Sequence, residues 1–138
     1  MSIDMTKWQE IAKENVHNRP AGQGRLAGKI IIVTGAAQGF GKGIAEELYA
    51  EGATIIIADM NQPLAETVAA EMGERACAIS VNVSDEESVA NLVAQTVEKF
   101  GGLDIMLANA GVVRSGPLAS FEKKDMEFVT AINYTGLF

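Results

Sequence analysis

An apolar run that ends in a glycine-rich turn constrains the fold of this chain more than any other feature. Residues 29–33 read Lys-Ile-Ile-Ile-Val, residues 34–41 read Thr-Gly-Ala-Ala-Gln-Gly-Phe-Gly, and a helical pattern resumes at Lys42. The segment predicts a strand, a tight turn and a helix. A helix N-terminus offers free N–H groups, and glycines let the backbone approach a phosphate. The turn therefore predicts a pyrophosphate site, although a plain tight connection is also compatible with it.

A carboxylate at the end of the next apolar run favours the nucleotide interpretation. Residues 53–58 read Ala-Thr-Ile-Ile-Ile-Ala and lead into Asp59, 24 residues after Gly35. A dinucleotide-binding fold places at about this spacing the carboxylate that holds the ribose hydroxyl groups of adenosine. The alternative is that Asp59 only begins a turn after the strand.

Two asparagine positions complete the set of candidate functional features. Asn109, Ala110 and Gly111 close the apolar run at residues 103–108, and Asn133 comes late in a helical pattern. For Asn133 a purely structural role, in which it caps or bends its helix, is the alternative.

From Lys29 onward, strand and helix patterns alternate about four times. Pro63 suits the first turn of the second helix, and residues 84–87 (Ser-Asp-Glu-Glu) predict a capping box at the start of the third. Continuous apolar strands alternating with helices predict a doubly wound parallel α/β sheet, Rossmann-like, covered on both faces. Right-handed crossovers give the strand order 3-2-1-4.

The chain divides into two predicted parts. Residues 1–27 form an N-terminal arm, in which apolar residues from Met5 to Val16 recur at helical spacing before a Pro/Gly linker at residues 20–24. Residues 28–138 form a partial dinucleotide-binding domain. An arm that covers the active site of a partner subunit is an open alternative to simple docking.

Composition and charge exclude several classes of function. A formal net charge of -7 argues against nucleic acid as a partner, because phosphate binding needs clustered Lys and Arg. No apolar segment is long enough to cross a bilayer, so that we expect a cytoplasmic protein without membrane contact. The single cysteine, Cys77, has no internal disulfide partner, and His17 has no companion ligands, so no metal is expected.

Together these motifs resemble the N-terminal half of the classical short-chain dehydrogenase/reductase family. Residues 34–41 match its Thr-Gly-x-x-x-Gly-x-Gly, and Asn109-Ala110-Gly111 match the end of its Asn-Asn-Ala-Gly, with Ala108 replacing the first Asn. The pair Asn82-Val83 falls where the family usually has Asp-Val beside the adenine. Asn133 falls on the Asn that joins Ser, Tyr and Lys in the catalytic tetrad.

The resemblance implies roles for particular residues. The cofactor-binding set is Gly35, Gln38, Gly39, Phe40, Gly41, Asp59, Asn82, Val83, Asn109, Ala110 and Gly111. The turn glycines line the pyrophosphate, and Asn82 and Val83 meet the adenine, with the amide oxygen of Asn82 as acceptor. Asn133 is the one catalytic candidate, holding a water that connects the tetrad Lys to solvent.

The expected activity is NAD-dependent hydride transfer between nicotinamide and an alcohol or ketone. NAD is preferred over NADP, because a 2′-phosphate beside Asp59 costs about 1–4 kcal/mol of like-charge repulsion. Neither Gln38 nor Met60 is basic to offset that repulsion. A polyol is one substrate class, and Arg114 leaves a sugar-alcohol phosphate open. The family's habit of assembly implies a homo-oligomer, a tetramer or dimer, for the full-length protein.

The catalytic Ser and Tyr-x-x-x-Lys of the family fall beyond Phe138. The tyrosines present, Tyr49 and Tyr134, are followed four residues later by Ala53 and Phe138, not by Lys. We therefore expect the chain to be the cofactor-binding half of a longer enzyme and to be inactive alone. The alternatives are a non-catalytic NAD-binding sensor and an assembly module.

Overall fold

A computed structural model describes residues 24–138, and the predicted arm helix therefore lies outside the described residues. Strands and helices alternate as predicted. The elements are β1 (Ile30–Thr34), α1 (Gly39–Ala50), β2 (Thr54–Asp59), α2 (Gln62–Met72), β3 (Ala76–Ser80), α3 (Glu86–Phe100), β4 (Ile105–Leu107) and α4 (Lys123–Asn133), with 3₁₀ turns at Leu118–Ser120 and Thr135–Leu137. No helix within this range is long and apolar enough to span a membrane.

The strands form one parallel sheet in the order β3-β2-β1-β4. This confirms the predicted 3-2-1-4 order. Ile31 of β1 aligns with Ile55 of β2 and with Ile105 of β4. Since all pairs are parallel, the carboxyl ends of the strands meet at one edge of the sheet, where an open α/β sheet binds its ligand.

Alternate residues of the central strands build two separate cores, one on each face. On one face Ile31 and Ile55 are fully buried against α1 and α2. On the other face Ile32 and Ile56 are fully buried with Leu92 of α3. Each isoleucine buried in this way contributes about 1.5–3 kcal/mol of hydrophobic stabilisation. Burial on both faces is the reason why the strands read as continuous apolar runs.

The start of α3 corrects the predicted capping box. Its N-cap is Asp85, whose carboxylate accepts from the N–H of Glu87 at 3.1 Å. The hydroxyl of Ser84 instead donates to Asn82 Oδ1 at 2.7 Å. The hydroxyl is thus held by the preceding turn, and the capping role passes to the next residue in the chain.

An ion pair ties the beginning of β1 to the residue before β4. Lys29 Nζ lies 2.9 Å from Asp104 Oδ1, and the N–H of Ile30 donates to Oδ2 at 2.9 Å. Partial burial by itself would raise the pKa of the Asp104 carboxyl. The hydrogen bond from Ile30 and the ammonium group of Lys29 together outweigh burial, so that this pKa is lowered.

Replacing Asp104 with Asn is expected to destabilise the protein at neutral pH by less than about 1 kcal/mol, because the pair is partly exposed. A lowered pKa stabilises the fold only while the carboxyl is ionised. The variant and the wild type therefore differ in unfolding free energy by the full amount above the unfolded pKa of about 3.9. This difference disappears as the pH falls through the lower pKa of the folded state. Urea unfolding at neutral pH and below about pH 3 measures this, with Glu98→Gln, on exposed α3 surface, as control. An equal difference at both pH values would contradict the prediction.

Candidate functional site

A cavity of about 360 Å³ opens at the carboxyl edge of the sheet. Nine of the eleven predicted cofactor residues line it, and Gly39 and Asn82 do not. The lining residues are Gly35, Gln38, Phe40, Gly41, Asp59, Met60, Val81, Val83, Asn109, Ala110, Gly111, Val112 and Ile132. Sequence reasoning did not assign a binding role to the apolar members Met60, Val81 and Ile132. Their place in the sequence could have indicated this role, because each is adjacent to a predicted site residue.

The glycine-rich turn brings the N-terminus of α1 to the cavity. Gly35 and Gly39 have φ values of +65° and +59°, a backbone conformation that favours glycine. A Cβ at Gly35 would also lie 2.9 Å from Ala110 Cα. The N-cap Gln38 makes no side-chain capping bond, and the first turn of α1 holds no acidic residue. The first N–H groups and the positive end of the helix dipole are therefore available to an anion.

Gly41 and Gly43, both in α1, provide a matched pair for testing the turn. A Cβ at Gly41 would overlap the carbonyl oxygen of Gly35 and lie 2.6 Å from Asn109 Nδ2, whereas one at Gly43 meets nothing within 4 Å. Gly41→Ala is expected to destabilise the protein by about 1–3 kcal/mol through overpacking. Gly43→Ala is expected to stabilise it by about 0.5–1 kcal/mol through helix propensity. Thermal unfolding of the two variants measures both effects, and equal shifts would exclude the proposed close packing.

The hydroxyl of Thr34 joins the end of β1 to the loop after β4. It is 2% exposed, accepts from the N–H groups of Asn109 and Ala110 at 3.0 Å each, and donates to the carbonyl of Leu107 at 3.3 Å. The side chain of Asn109 donates back to the carbonyl of Thr34 at 3.0 Å and to that of Gly35 at 3.4 Å. The motif at residues 109–111 is thereby fixed against the glycine-rich turn.

Asp59 supports the turn as well as facing the cavity. Its Oδ2 accepts from the N–H of Ala37 at 3.1 Å, and its Oδ1 accepts from the N–H of Asn61 at 3.0 Å. Each oxygen keeps a further acceptor position, so that a pair of vicinal hydroxyl groups can be held. The bond to Ala37, across 22 residues, was not visible in the sequence.

The region after β3 corrects the acceptor role predicted for Asn82. Its Oδ1 accepts from both the N–H and the hydroxyl of Ser84, at 3.1 Å and 2.7 Å. Both acceptor positions of this oxygen are thus used within the turn. Its neighbours Val81 and Val83 line the cavity, whereas Asn82 stands beside it.

Asn133 is the last residue of α4 and lies beside the cavity. Its Oδ1 accepts from the N–H of Val112 at 2.8 Å, and its Nδ2 donates to the carbonyl of Val112 at 2.8 Å. These paired bonds hold the loop after β4, while the preceding residue, Ile132, is a lining residue. The predicted catalytic role of Asn133 stays a prediction.

Lys42 and Arg114, the basic residues that follow the two glycine-containing motifs in the sequence, interact with side chains outside the cavity. Lys42 Nζ lies 3.1 Å from Glu71 and 3.7 Å from Glu46. The hydrogen bond to Glu71, more than any other contact, raises the pKa of Lys42. The guanidinium of Arg114 stacks over the ring of Phe128 at 4.9 Å. Neither Lys42 nor Arg114 lines the cavity.

Known proteins with similar sequences include dehydrogenases and reductases. The family model described as short chain dehydrogenase matches residues 29–138. Tropinone reductase-like 1 from Erythroxylum coca is 41% identical over 118 residues, which are 83% of this chain and 43% of that protein. Sorbitol dehydrogenase from Cereibacter sphaeroides is 38% identical over 112 residues, 81% of this chain and 44% of that protein.

A solved structure shows the same fold in a complex with NADH. The 3-ketoacyl-(acyl-carrier-protein) reductase from Brucella melitensis, complexed with NADH, superposes with a TM-score of 0.77 at 34% identity, covering 81% of this chain and 46% of that one. The chain thus spans a little under half the length of these relatives. With a parallel 3-2-1-4 sheet, a glycine-rich turn at its carboxyl edge and a family match over residues 29–138, this chain belongs to the short-chain dehydrogenase family.

Proposed function

We propose that this chain binds NAD and that the whole protein transfers a hydride between nicotinamide and an alcohol or ketone. The observation that carries the proposal is the convergence of the free α1 N-terminus and the Asp59 carboxylate on one cavity. The first suits a pyrophosphate and the second suits ribose hydroxyl groups. A Cβ at Gly35 or Gly41 would collide with Ala110 or with the carbonyl of Gly35, so that only glycine lets the turn pack this closely against the loop after β4 at the edge of the cavity.

A preference for NAD over NADP follows from the charges around Asp59. Asp59 is the one ionisable residue among the cavity-lining residues of the described range. A 2′-phosphate would therefore meet a carboxylate without a neighbouring cation. Lys42, which could otherwise neutralise the 2′-phosphate, forms ion pairs with Glu71 and Glu46.

The residues of this chain contribute binding and orientation to the reaction. NAD, when bound, supplies the hydride chemistry. The α1 N-terminus and Asp59 would hold the nucleotide, while Thr34 and Asn133 fix the loop after β4. General acid–base catalysis needs a titratable group beside the reacting oxygen, which the proposal assigns to a Tyr and Lys beyond Phe138. The 138 residues alone are accordingly proposed to bind cofactor without turning over substrate.

For the substrate we propose a polyol or similar secondary alcohol. The sorbitol dehydrogenase relative supports this class by its name. A sugar-alcohol phosphate is less favoured, because Arg114 stacks on Phe128 and does not line the cavity. We further propose that the full-length protein works as a homo-oligomer, a tetramer or dimer.

Two titrations and one assay test the proposal. NADH and NADPH are titrated against the complete gene product, and oxidation of sorbitol and other polyols is followed by the absorbance of reduced nicotinamide. We expect tighter binding of NADH and turnover only in the complete product. Binding without any turnover would favour the NAD-binding sensor, and the absence of binding would favour the assembly module.

A further inference from the structure

We propose that residues 1–23 dock as an amphipathic helix along an apolar groove on α1 of the same chain. The receiving surface and the point from which these residues start both lie within the described range, 24–138, whereas the predicted helix itself does not. The inference is independent of the proposed function, because docking needs neither cofactor nor substrate.

Two adjoining cavities form this groove, which we call the α1 groove. One, of about 500 Å³, is lined by Gly39, Phe40, Gly43, Ile44, Glu47 and Leu48. The other, of about 350 Å³, is lined by Arg25, Leu26, Glu47, Leu48 and Glu51. Because Glu47 and Leu48 belong to both linings, the groove extends from the first turn of α1 to its C-cap.

Apolar side chains of the α1 groove are exposed on the outside of the domain. Phe40 is 91% exposed, and Ile44 is half-buried. Leu26 and Leu48 contact the core with part of their surface and line the groove with another part. The α1 members of the lining include residues 40, 43, 47 and 51, whose spacing places them on one face of the helix. Such a stripe is suited to pack against a second amphipathic helix.

The point at which residues 1–23 join the domain favours this segment as the occupant. Gly24 has a φ of +86°, and a Cβ there would overlap the carbonyl group of Glu51. The N–H of Leu26 donates to that carbonyl at 2.8 Å, and Arg25 Nη2 lies 3.1 Å from Glu51 Oε1. The chain thus enters the described range at one end of the groove. A segment tethered there has an effective concentration on the order of millimolar, well above that of a separate partner or a second copy at micromolar concentration.

The sequence of the segment matches the groove in spacing and length. Its apolar stripe has the same intervals as residues 40, 43, 47 and 51 of α1, and consists of Met5, Trp8, Ala12 and Val16. A helix over residues 5–16 has a length of about 18 Å, as has α1 with its 12 residues. Residues 17–23 reach up to about 25 Å when extended, so that the helix can lie over any part of the groove.

The charges on the two surfaces are compatible with docking. Glu47, which lines both cavities, pairs with no cation within residues 24–138. On a helix of about 3.6 residues per turn, Lys13 falls beside the apolar stripe, whereas Glu10 and Glu14 fall on the opposite side. Docking therefore brings a cation toward Glu47 and leaves the two carboxylates of the segment in solvent.

Disulfide formation in the complete gene product tests the position of the segment. Ala12→Cys, in the apolar stripe, is combined with Glu47→Cys or with Glu46→Cys. Both glutamate substitutions remove one negative charge from neighbouring positions of α1, but Glu46 lines neither cavity. A disulfide requires Cα atoms within about 7 Å and Cβ atoms that point toward each other. In a glutathione buffer we expect the equilibrium constant for the link between positions 12 and 47 to be at least about tenfold higher than that for positions 12 and 46.

Peptide mass mapping identifies the linked positions, and Cys77 is buried on the other face of the sheet. Loss of the largest apolar side chain then separates docking from mere tethering. Trp8→Ala is expected to reduce the preference for position 47 over position 46 to less than about threefold, because it removes most of the apolar contact. Glu10→Ala, on the opposite side of the same helix, is the control and should leave the preference unchanged.

Three outcomes would overturn the inference. These are equal linkage to positions 46 and 47, a preference that Trp8→Ala leaves unchanged, and linkage between two chains, seen as a covalent dimer. Should a cysteine variant not fold, carbodiimide coupling of the wild type, which joins an ammonium group to a carboxylate in contact with it, decides the question. A link between Lys13 and Glu47 supports docking, whereas no link, or links only to carboxylates outside the groove, overturns it.

Discussion

Replacing Asp59 with Asn is expected to weaken NADH binding about tenfold to a hundredfold while weakening NADPH binding much less. The carboxylate can accept charge-assisted hydrogen bonds from two ribose hydroxyl groups, each worth about 1.5–3 kcal/mol. It also repels a 2′-phosphate, a penalty that the neutral amide removes. The substitution therefore lowers affinity for one cofactor and relieves repulsion for the other.

The ratio of the two dissociation constants is the measurement that isolates this effect. Asn has one acceptor oxygen for the N–H groups of Ala37 and Asn61, which now bond to separate oxygens of Asp59. The turn will loosen, but both cofactors share the pyrophosphate, so that loosening cancels in the ratio. Glu98→Gln removes an equal charge from the exposed surface of α3 and serves as control. A ratio of NADH to NADPH affinity that stays at the wild-type value in Asp59→Asn would contradict the assignment.

Replacing Thr34 with Val is expected to cost about 2–4 kcal/mol of unfolding free energy, the largest stability effect that we predict. Valine fills the same volume but leaves the N–H groups of Asn109 and Ala110 without the acceptor that each now has at 3.0 Å. The side chain is 2% exposed, and water has little access to replace the hydroxyl. The joint between β1 and the loop after β4 should open as a result.

Thr34→Ser is the matched control, because it keeps the hydroxyl and loses only a methyl group. We expect it to cost about 1 kcal/mol. Urea unfolding of both variants gives the two values, and cofactor binding should fall in the valine variant and survive in the serine variant. If the serine variant were the less stable of the two, methyl packing rather than hydrogen bonding would be what stabilises this joint.

Much of the site was predictable because it depends on local rules. A run of Ile and Val before glycines predicts a buried strand and a tight turn, and Gly35 and Gly39 indeed have positive φ. Right-handed connection of successive strands allows few sheet orders, and the order containing Asp59 at the second strand end is the observed one. The positions of nine predicted residues around one cavity follow from that order.

The capping prediction failed for a reason that is also local. Ser84 could cap α3 or bond to Asn82 in the preceding turn, and these alternatives are close in energy. In the fold Asn82 Oδ1 takes both donors of Ser84, and Asp85 caps the helix instead. The same choice uses up the acceptor positions of the Asn82 side-chain oxygen. A sequence pattern does not resolve two competing hydrogen bonds of similar strength.

The sequence by itself determined the strand–turn–helix order, the glycines of the turn and the carboxylate that follows β2. Only the tertiary structure decided how the polar side chains are used: Asp59 also holds the turn through Ala37, and Lys42 is drawn to Glu71, 29 residues away. The physical reason is that backbone conformation and side-chain interactions depend on residues at different distances along the chain. Backbone conformation is set mainly by neighbours along the chain, whereas a hydrogen bond or ion pair forms with whichever partner the fold brings within about 3 Å.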